Sequence, residues 1–155
     1  MTGTRKPSAD ASMRSILPLM GTDKSVTERL CRVAANLRPI KHKYASTPVL
    51  ALMHTLIEQS GYLQHPDALE REAIMDVLRE YPELVHEWWI WSGDQRSVPG
   101  WCFDEDQGQY RVYHYPNGES LIFNDRTVAC SEYILRVIPW VEAVTAAIVA
   151  DGRAK

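Results

Sequence analysis

WCFDEDQGQYRVYHYPNGESLIFND, residues 101–125, is the stretch of sequence that decides the fold. Residues 109–115 and 121–123 are dense in aromatic and β-branched side chains, which favour β-strands. Between them lies Pro116-Asn117-Gly118, a tripeptide that suits a type I turn closed by a left-handed glycine. The stretch therefore predicts an antiparallel hairpin. Residues 101–103 form a third predicted strand, joined to the hairpin by a turn at residues 104–108.

The pairing of the two hairpin strands depends on the length of the loop. A three-residue loop pairs Tyr113 with Leu121 and places Val112 and Ile122 on the opposite face. A two-residue Asn-Gly turn instead pairs Val112 with Phe123. We expect the first register, because it uses the proline and gathers four apolar side chains on one face of the sheet: Tyr113, Tyr115, Leu121 and Phe123.

Outside this stretch the sequence follows helix patterns. Ser25 and Glu28 have the spacing of a capping box, and they predict a helix that ends before Pro39. Thr47-Pro48 opens a second predicted helix, which Gly61 ends. A third helix is predicted to open at His65-Pro66-Asp67, and a fourth runs from residue 82 to residue 93.

The C-terminal part of the chain predicts one more helix, from Val128 to about residue 149, with cap residues at 125–127. Pro139 should kink this helix or divide it in two. The predicted fold class is α+β. An N-terminal bundle of about four helices precedes a three-stranded antiparallel sheet, and the kinked C-terminal helix packs on the sheet.

The composition indicates one soluble globular domain, because 45% of the 155 residues are apolar and 24% are charged. Residues 1–12 are polar and turn-rich, so they are predicted to be a flexible tail. Residues 13–155 are predicted to form a single domain, with a helical half at 13–93 and a sheet-plus-helix half at 98–150. The alternative is two loosely joined halves, divided near residues 93–100.

The three cysteines, Cys31, Cys102 and Cys130, are an odd number without paired spacing, as expected of reduced thiols in the cytoplasm. Apolar residues 134–150 contain Arg136 and Glu142, which argue against a membrane span. Residues 13–20 are too short an apolar patch for a signal peptide. The expected location is therefore the cytoplasm, with no membrane partner.

Charge is distributed unevenly along the chain. Residues 1–43 contain nine Lys/Arg and three Asp/Glu, whereas the rest of the chain contains eight Lys/Arg and seventeen Asp/Glu. The basic segment can meet an acidic partner, or it can pack against the acidic part of the same chain. The second interpretation is the expected one.

Protein binding is the function that the sequence supports best. Acidic residues recur along the third and fourth predicted helices, beside tryptophan, the residue most enriched at interface hot spots. Such a surface suits a partner of opposite charge, which would be a basic protein. The predicted binding residues are Glu72, Asp76, Glu80, Glu83, Glu87, Trp88 and Trp91.

A small thiol-dependent enzyme is the alternative. Cys130 is predicted to lie in the first turn of a helix, where free N–H groups favour a thiolate. His114 would be its base and Asp125 or Asn124 would orient the histidine. This mechanism requires Cys130 to be partly exposed and within reach of a histidine.

Nucleic-acid binding is a second alternative. A basic helix face could bind phosphates, although the net negative charge of the chain argues against it. Its residues would be Arg29, Arg32, Arg38, Lys41 and Lys43. The sequence contains no HExxH, no CxxC and no phosphate-binding glycine loop, so neither a metal nor another cofactor is expected.

The sequence thus predicts a non-enzymatic cytoplasmic binding protein of the inhibitor, immunity or adaptor type. Small size, acidity and the lack of a catalytic motif are typical of many small bacterial proteins of that kind. This is a similarity of class and not of residues. The oligomeric state is left open by the sequence.

Overall fold

A computed structural model describes residues 25–44, 46–94, 100–116 and 118–154, with side chains described as far as residue 150. The predictions for residues 1–12 and 13–20 lie outside this part. Within it the fold is α+β, as predicted, with six α-helices, one short 3₁₀ helix and three strands. The elements are α1 Val26–Cys31, α2 Val33–Ile40, α3 Val49–Ser60, the 3₁₀ helix Pro66–Ala68, α4 Arg71–Glu80, α5 Glu83–Asp94, β1 Gly100–Asp106, β2 Gln109–Tyr115, β3 Ser120–Phe123 and α6 Arg126–Ala154.

The sheet is antiparallel with the strand order β1-β2-β3, but neither predicted hairpin register is right. Val112 pairs with Leu121 and Tyr113 pairs with Ser120. The N–H of His114 donates to the carbonyl of Glu119 at 2.8 Å, so the loop is longer than either predicted turn. The expected register is off by one residue, which exchanges the faces of a strand, so the faces predicted from it are wrong. The two-residue alternative is off by two residues and places Val112 and Phe123 on the same face, as observed.

Burial against α6 explains the observed register. Val112 and Phe103 pair across β1 and β2, and both are fully buried in the core. Ile122 lies on the other face with 61% of its surface exposed. Gly118 does not have the predicted left-handed conformation. Glycine is needed there for space, since an added Cβ would lie 2.5 Å from the Cβ of His114.

Two predicted helix ends are confirmed. The hydroxyl of Ser25 accepts the N–H of Glu28 at 3.1 Å and caps α1. Gly61 follows α3 with a left-handed φ of 92°, which is the usual glycine end of a helix. The predicted helix end before Pro39 is wrong. The helix is interrupted at Arg32, which separates α1 from α2, and α2 then continues through Pro39 to the buried Ile40.

Other boundaries differ from the prediction by a few residues. The third predicted helix starts at Arg71 and not at residue 65, because the carboxylate of Glu70 accepts the N–H groups of residues 72 and 73. The last helix starts at Arg126, where Asp125 accepts the N–H of Val128 at 2.9 Å. Pro139 does not divide α6, which continues to residue 154.

Helix α6 is the element on which most of the others pack. It contacts α3, α4, α5 and all three strands, and residues 129–134 are buried. The carboxylate of Glu132 is almost fully buried and binds both Arg71 of α4 and Arg136 of α6. Arg136 also donates to Glu119 of the hairpin loop at 2.8 Å. These ion pairs hold α4, α6 and the sheet together.

Residues Arg126–Ala150 of α6 form the one described helix that is long and apolar enough to cross a membrane, by length and composition alone. Their mean hydropathy over the best window is 1.6. A core helix that is mostly buried passes the same test. In this helix 28% of the window is buried, and Glu132 and Arg136 form an ion pair within it.

Candidate protein-binding surface

Helix α4 separates its charged and apolar residues between two faces. Ile74 and Leu78 are fully buried, whereas Glu72, Asp76 and Glu80 are exposed. The three acids lie four residues apart, so they share one face of the helix. Helix α4 therefore presents a row of carboxylates to solvent.

Helix α5 begins near the end of this row. Only Tyr81 and Pro82 separate α4 from α5, and the first residue of α5, Glu83, is exposed. Three residues of chain reach about 10 Å at most, so Glu83 lies near Glu80. We call the set Glu72, Asp76, Glu80 and Glu83 the acidic surface.

Few of these carboxylates are neutralised. Asp76 pairs with Arg79 at 3.4 Å, and both side chains are well exposed. Within the described ranges no Lys, Arg or His lies within 4.0 Å of Glu72, Glu80 or Glu83. Exposed charges of one sign attract a partner of the opposite sign and raise its rate of association.

Glu87 does not belong to the acidic surface, contrary to the prediction. Its carboxylate is mostly buried and accepts a hydrogen bond from Nη2 of Arg38 at 3.0 Å, while Nε of Arg38 lies 3.0 Å from its second oxygen. Asp94, at the end of α5, pairs in the same way with Lys41. These acids face α2 and link the two helices.

Trp88 and Trp91 are core residues, so their predicted place in a binding surface is wrong. Trp88 is fully buried, and its indole N–H donates to the carbonyl of Cys31 at 2.8 Å. Its ring meets Tyr133 of α6 edge to face at 5.9 Å. Trp91 is 5% exposed. Both side chains stabilise the fold and are not available to a partner.

Trp89 is the tryptophan that the sequence reasoning missed. It is 37% exposed, and its ring stacks on the exposed His86 with centroids 5.9 Å apart. The helical spacing of the sequence could have identified Trp89 as exposed. Residues 85, 88 and 92 form the buried stripe of α5, and residues 86, 89 and 93 lie on the opposite face. An exposed aromatic residue therefore shares α5 with Glu83.

Most of the predicted basic face is used inside the molecule. Arg32 pairs with Glu28 at 3.0 Å and covers the ring of Tyr81, and Arg29 donates to the carbonyl of Ser60 at 3.0 Å. Arg38 and Lys41 bind the acids of α5, while Lys43 is exposed. This arrangement favours the interpretation that the basic segment packs against the acidic part of the chain.

Cys130 does not have the geometry of a reactive thiol. It is the fifth residue of α6 and fully buried, so it is neither in the first turn nor in a cleft. Burial, with a smaller contribution from Cys31, raises the pKa of the Cys130 thiol well above its usual value. A nucleophilic cysteine needs the opposite, a lowered pKa and an accessible sulfur.

The other residues of the predicted thiol site have structural roles. His114 lies in β2, where its ring contacts Trp101 edge to face at 5.2 Å. Asp125 caps α6, and the neighbouring Asn124 is exposed. In the part of the chain that the structure describes, no three His, Cys, Asp or Glu side chains are grouped as they would be to bind a metal ion.

Comparison of the chain with models of protein families, with curated proteins and with solved structures finds no match.

Proposed function

We propose that this protein is a non-enzymatic cytoplasmic binding protein, of the inhibitor, immunity or adaptor type. Its partner is a protein with a basic surface, which binds to the acidic surface of Glu72, Asp76, Glu80 and Glu83. Trp89, an exposed residue six positions after Glu83 on α5, would contribute apolar contact area.

The observation that carries the proposal is a difference in how the acids are used. Glu87 and Asp94 are neutralised by α2, whereas Glu72, Glu80 and Glu83 have no cation within 4.0 Å among the described residues. A row of exposed acids repels itself modestly and adds nothing to the core. Binding to a cationic surface would replace the mutual repulsion of these carboxylates by a favourable electrostatic attraction.

The experiment is a capture from a lysate of the native cells with the immobilised full-length chain. One variant reverses the acidic surface by Asp76→Lys, Glu80→Lys and Glu83→Lys. A matched control makes the same change in net charge at three other exposed acids, by Asp67→Lys, Glu105→Lys and Asp106→Lys. Mass spectrometry identifies the captured proteins.

The wild-type chain and the control should retain one basic protein that the reversed variant loses. Its retention should fall as salt is raised, because screening shortens the range of the attraction. If the reversed variant retains the same basic protein equally well, the acidic residues are only a solvated helix face and the proposal is wrong. Equal loss in the control would mean that net charge, and not this surface, determines capture.

A further inference from the structure

Strand β3 is an edge of the sheet, since β2 lies on one side of it and no strand of the described residues lies on the other. The N–H of His114 donates to the carbonyl of Glu119 at 2.8 Å, so these two residues form a hydrogen-bonded pair. Such pairs alternate along an antiparallel ladder. Leu121 therefore bonds to β2, whereas the backbone N–H and C=O groups of Ser120 and Ile122 point away from the sheet.

The side chains of β3 leave apolar surface exposed on both faces of this edge. Ile122 is 61% exposed on the outer face, and Leu121 and Phe123 are partly exposed on the face that packs against the core. Proteins that stay monomeric usually protect an edge strand with a charged residue, a proline or a bulge. Residues 120–123 contain neither a charged residue nor a proline.

The pairing of β3 with a second copy of the chain has one register in which apolar residues meet only apolar residues. Two identical strands pair antiparallel across a twofold axis, the commonest symmetry of protein dimers, and the axis can pass through any residue of the strand. Through Ile122, the axis places Ile122 opposite itself and Leu121 opposite Phe123 of the copy. Through any other residue of β3, Leu121 or Phe123 lies opposite Glu119 or Asp125.

The charges around β3 permit this register. Residues 120–124 are uncharged, so the twofold axis brings no like charges directly opposite each other among them. The neighbouring Glu119 already pairs with Arg136 of its own chain at 2.8 Å. A contact between two four-residue strands buries less than the roughly 1,200 Å² at which stable interfaces begin, so the association should be weak and dependent on protein concentration.

We propose that two copies of the chain associate through β3, with Ile122 on the twofold axis, and join their three-stranded sheets into one antiparallel sheet. At the centre, the N–H of each Ile122 donates to the carbonyl of the other. The interface contains no residue of the acidic surface, so it is independent of the proposed function.

Sedimentation velocity of the full-length protein, over about a hundredfold range of concentration, should show a shift from monomer to dimer. Ile122→Lys places two ammonium groups together at the axis, so the dissociation constant should rise at least about tenfold. Ile148→Lys is the matched control, because it makes the same change at an isoleucine of α6 that is 60% exposed. Its dissociation constant should equal that of the wild type.

Three outcomes of this experiment would overturn the proposal. A chain that stays monomeric at every concentration leaves the edge of β3 to a strand of another protein. Equal weakening by the two lysine variants would show that added charge, and not this strand, opposes the association. A loss of the dimer in Ile148→Lys alone would place the interface on α6.

NMR of a dimer mixed from ¹³C-labelled and unlabelled wild-type chains tests the register directly. Intermolecular NOEs are expected between Leu121 of one copy and Phe123 of the other, since directly opposite side chains lie about 4.5–5.5 Å apart. A dimer without these NOEs would use another surface or register, and the proposal would be wrong. Because this measurement needs no substitution, its result does not depend on whether a variant folds.

Discussion

The two sides of α5 show how similar acids acquire different roles. Glu87 and Asp94 face α2, where Arg38 and Lys41 neutralise them. Glu83 starts the same helix and faces solvent. The chemistry of the side chains is the same, so the difference lies in the neighbouring helix. Glu83 stays available to a partner because no cation among the described residues lies within 4.0 Å of it, whereas the carboxylates of Glu87 and Asp94 are already paired.

The largest expected effect is a difference in stability loss between substitutions at Trp88 and Trp89, two adjacent residues of α5. Trp88→Ala should lower the free energy of unfolding by about 3–5 kcal/mol, because it opens a cavity in the core and leaves the carbonyl of Cys31 without its donor. Trp89→Ala should cost less than about 1 kcal/mol, since that ring is partly solvated. Urea unfolding followed by circular dichroism measures both.

Equal losses in the two variants would contradict the assignment of Trp88 to the core and Trp89 to the surface. Trp88→Phe is the control for volume, because it keeps an aromatic ring without the N–H. Its loss should lie between those of the two alanine variants.

The next effect appears at alkaline pH and involves two buried thiols, Cys31 of α1 and Cys130 of α6. Burial, then the charge of Glu28, raise the pKa of Cys31 from 9.0 to about 12, and burial raises that of Cys130 as well. Above pH 9 the unfolded thiols lose protons that the folded thiols keep. The stability that these thiols contribute is therefore complete below this pH and falls above it, by on the order of 1 kcal/mol per pH unit for a thiol that stays protonated in the folded state.

Urea unfolding in reducing buffer at pH 8, 9 and 10 measures this loss. Cys31→Ala removes one of the two thiols, so its stability should decline less steeply between pH 9 and 10 than that of the wild type. Parallel declines would show that Cys31 does not titrate differently in the two states.

A smaller effect tests the pairing between α5 and α2. A double-mutant cycle with Arg38→Ala and Glu87→Ala should give a coupling of about 0.2–1 kcal/mol, since Arg38 is about half exposed. The cycle for Arg79 and Asp76, whose side chains are both well exposed, should give less. Added salt should weaken both couplings. A larger coupling energy for the exposed Arg79–Asp76 pair than for the Arg38–Glu87 pair would contradict this prediction.

The smallest expected effect on stability is that of a substitution on the solvent-exposed side of α5. Glu83→Gln should lower the free energy of unfolding by no more than about 0.5 kcal/mol, because the side chain is exposed, has no cationic partner among the described residues and loses only its interaction with the N-terminal end of α5. Thermal unfolding monitored by circular dichroism suffices. A loss above about 1 kcal/mol would assign Glu83 a structural contact and remove it from the acidic surface.

Local patterns predicted most elements and part of the candidate site. Ser25 and Gly61 end their helices through groups close in the chain, so their roles follow from sequence. The acids of α4 recur every four residues and share a face for the same reason. The predicted surface location of Trp88 and Trp91 is wrong. Tryptophan is common both in cores and at interfaces, and composition does not distinguish a core tryptophan from an interface tryptophan.

The amino-acid sequence by itself determined the α+β class, the order of the elements and the exposed acidic row of α4. These depend on periodicity and on caps, which involve residues a few positions apart. Only the tertiary structure decided the hairpin register, the burial of Trp88 and the neutralisation of Glu87. Each of these depends on a contact outside its own element: Val112 with the core around α6, Trp88 with Cys31, and Glu87 with Arg38.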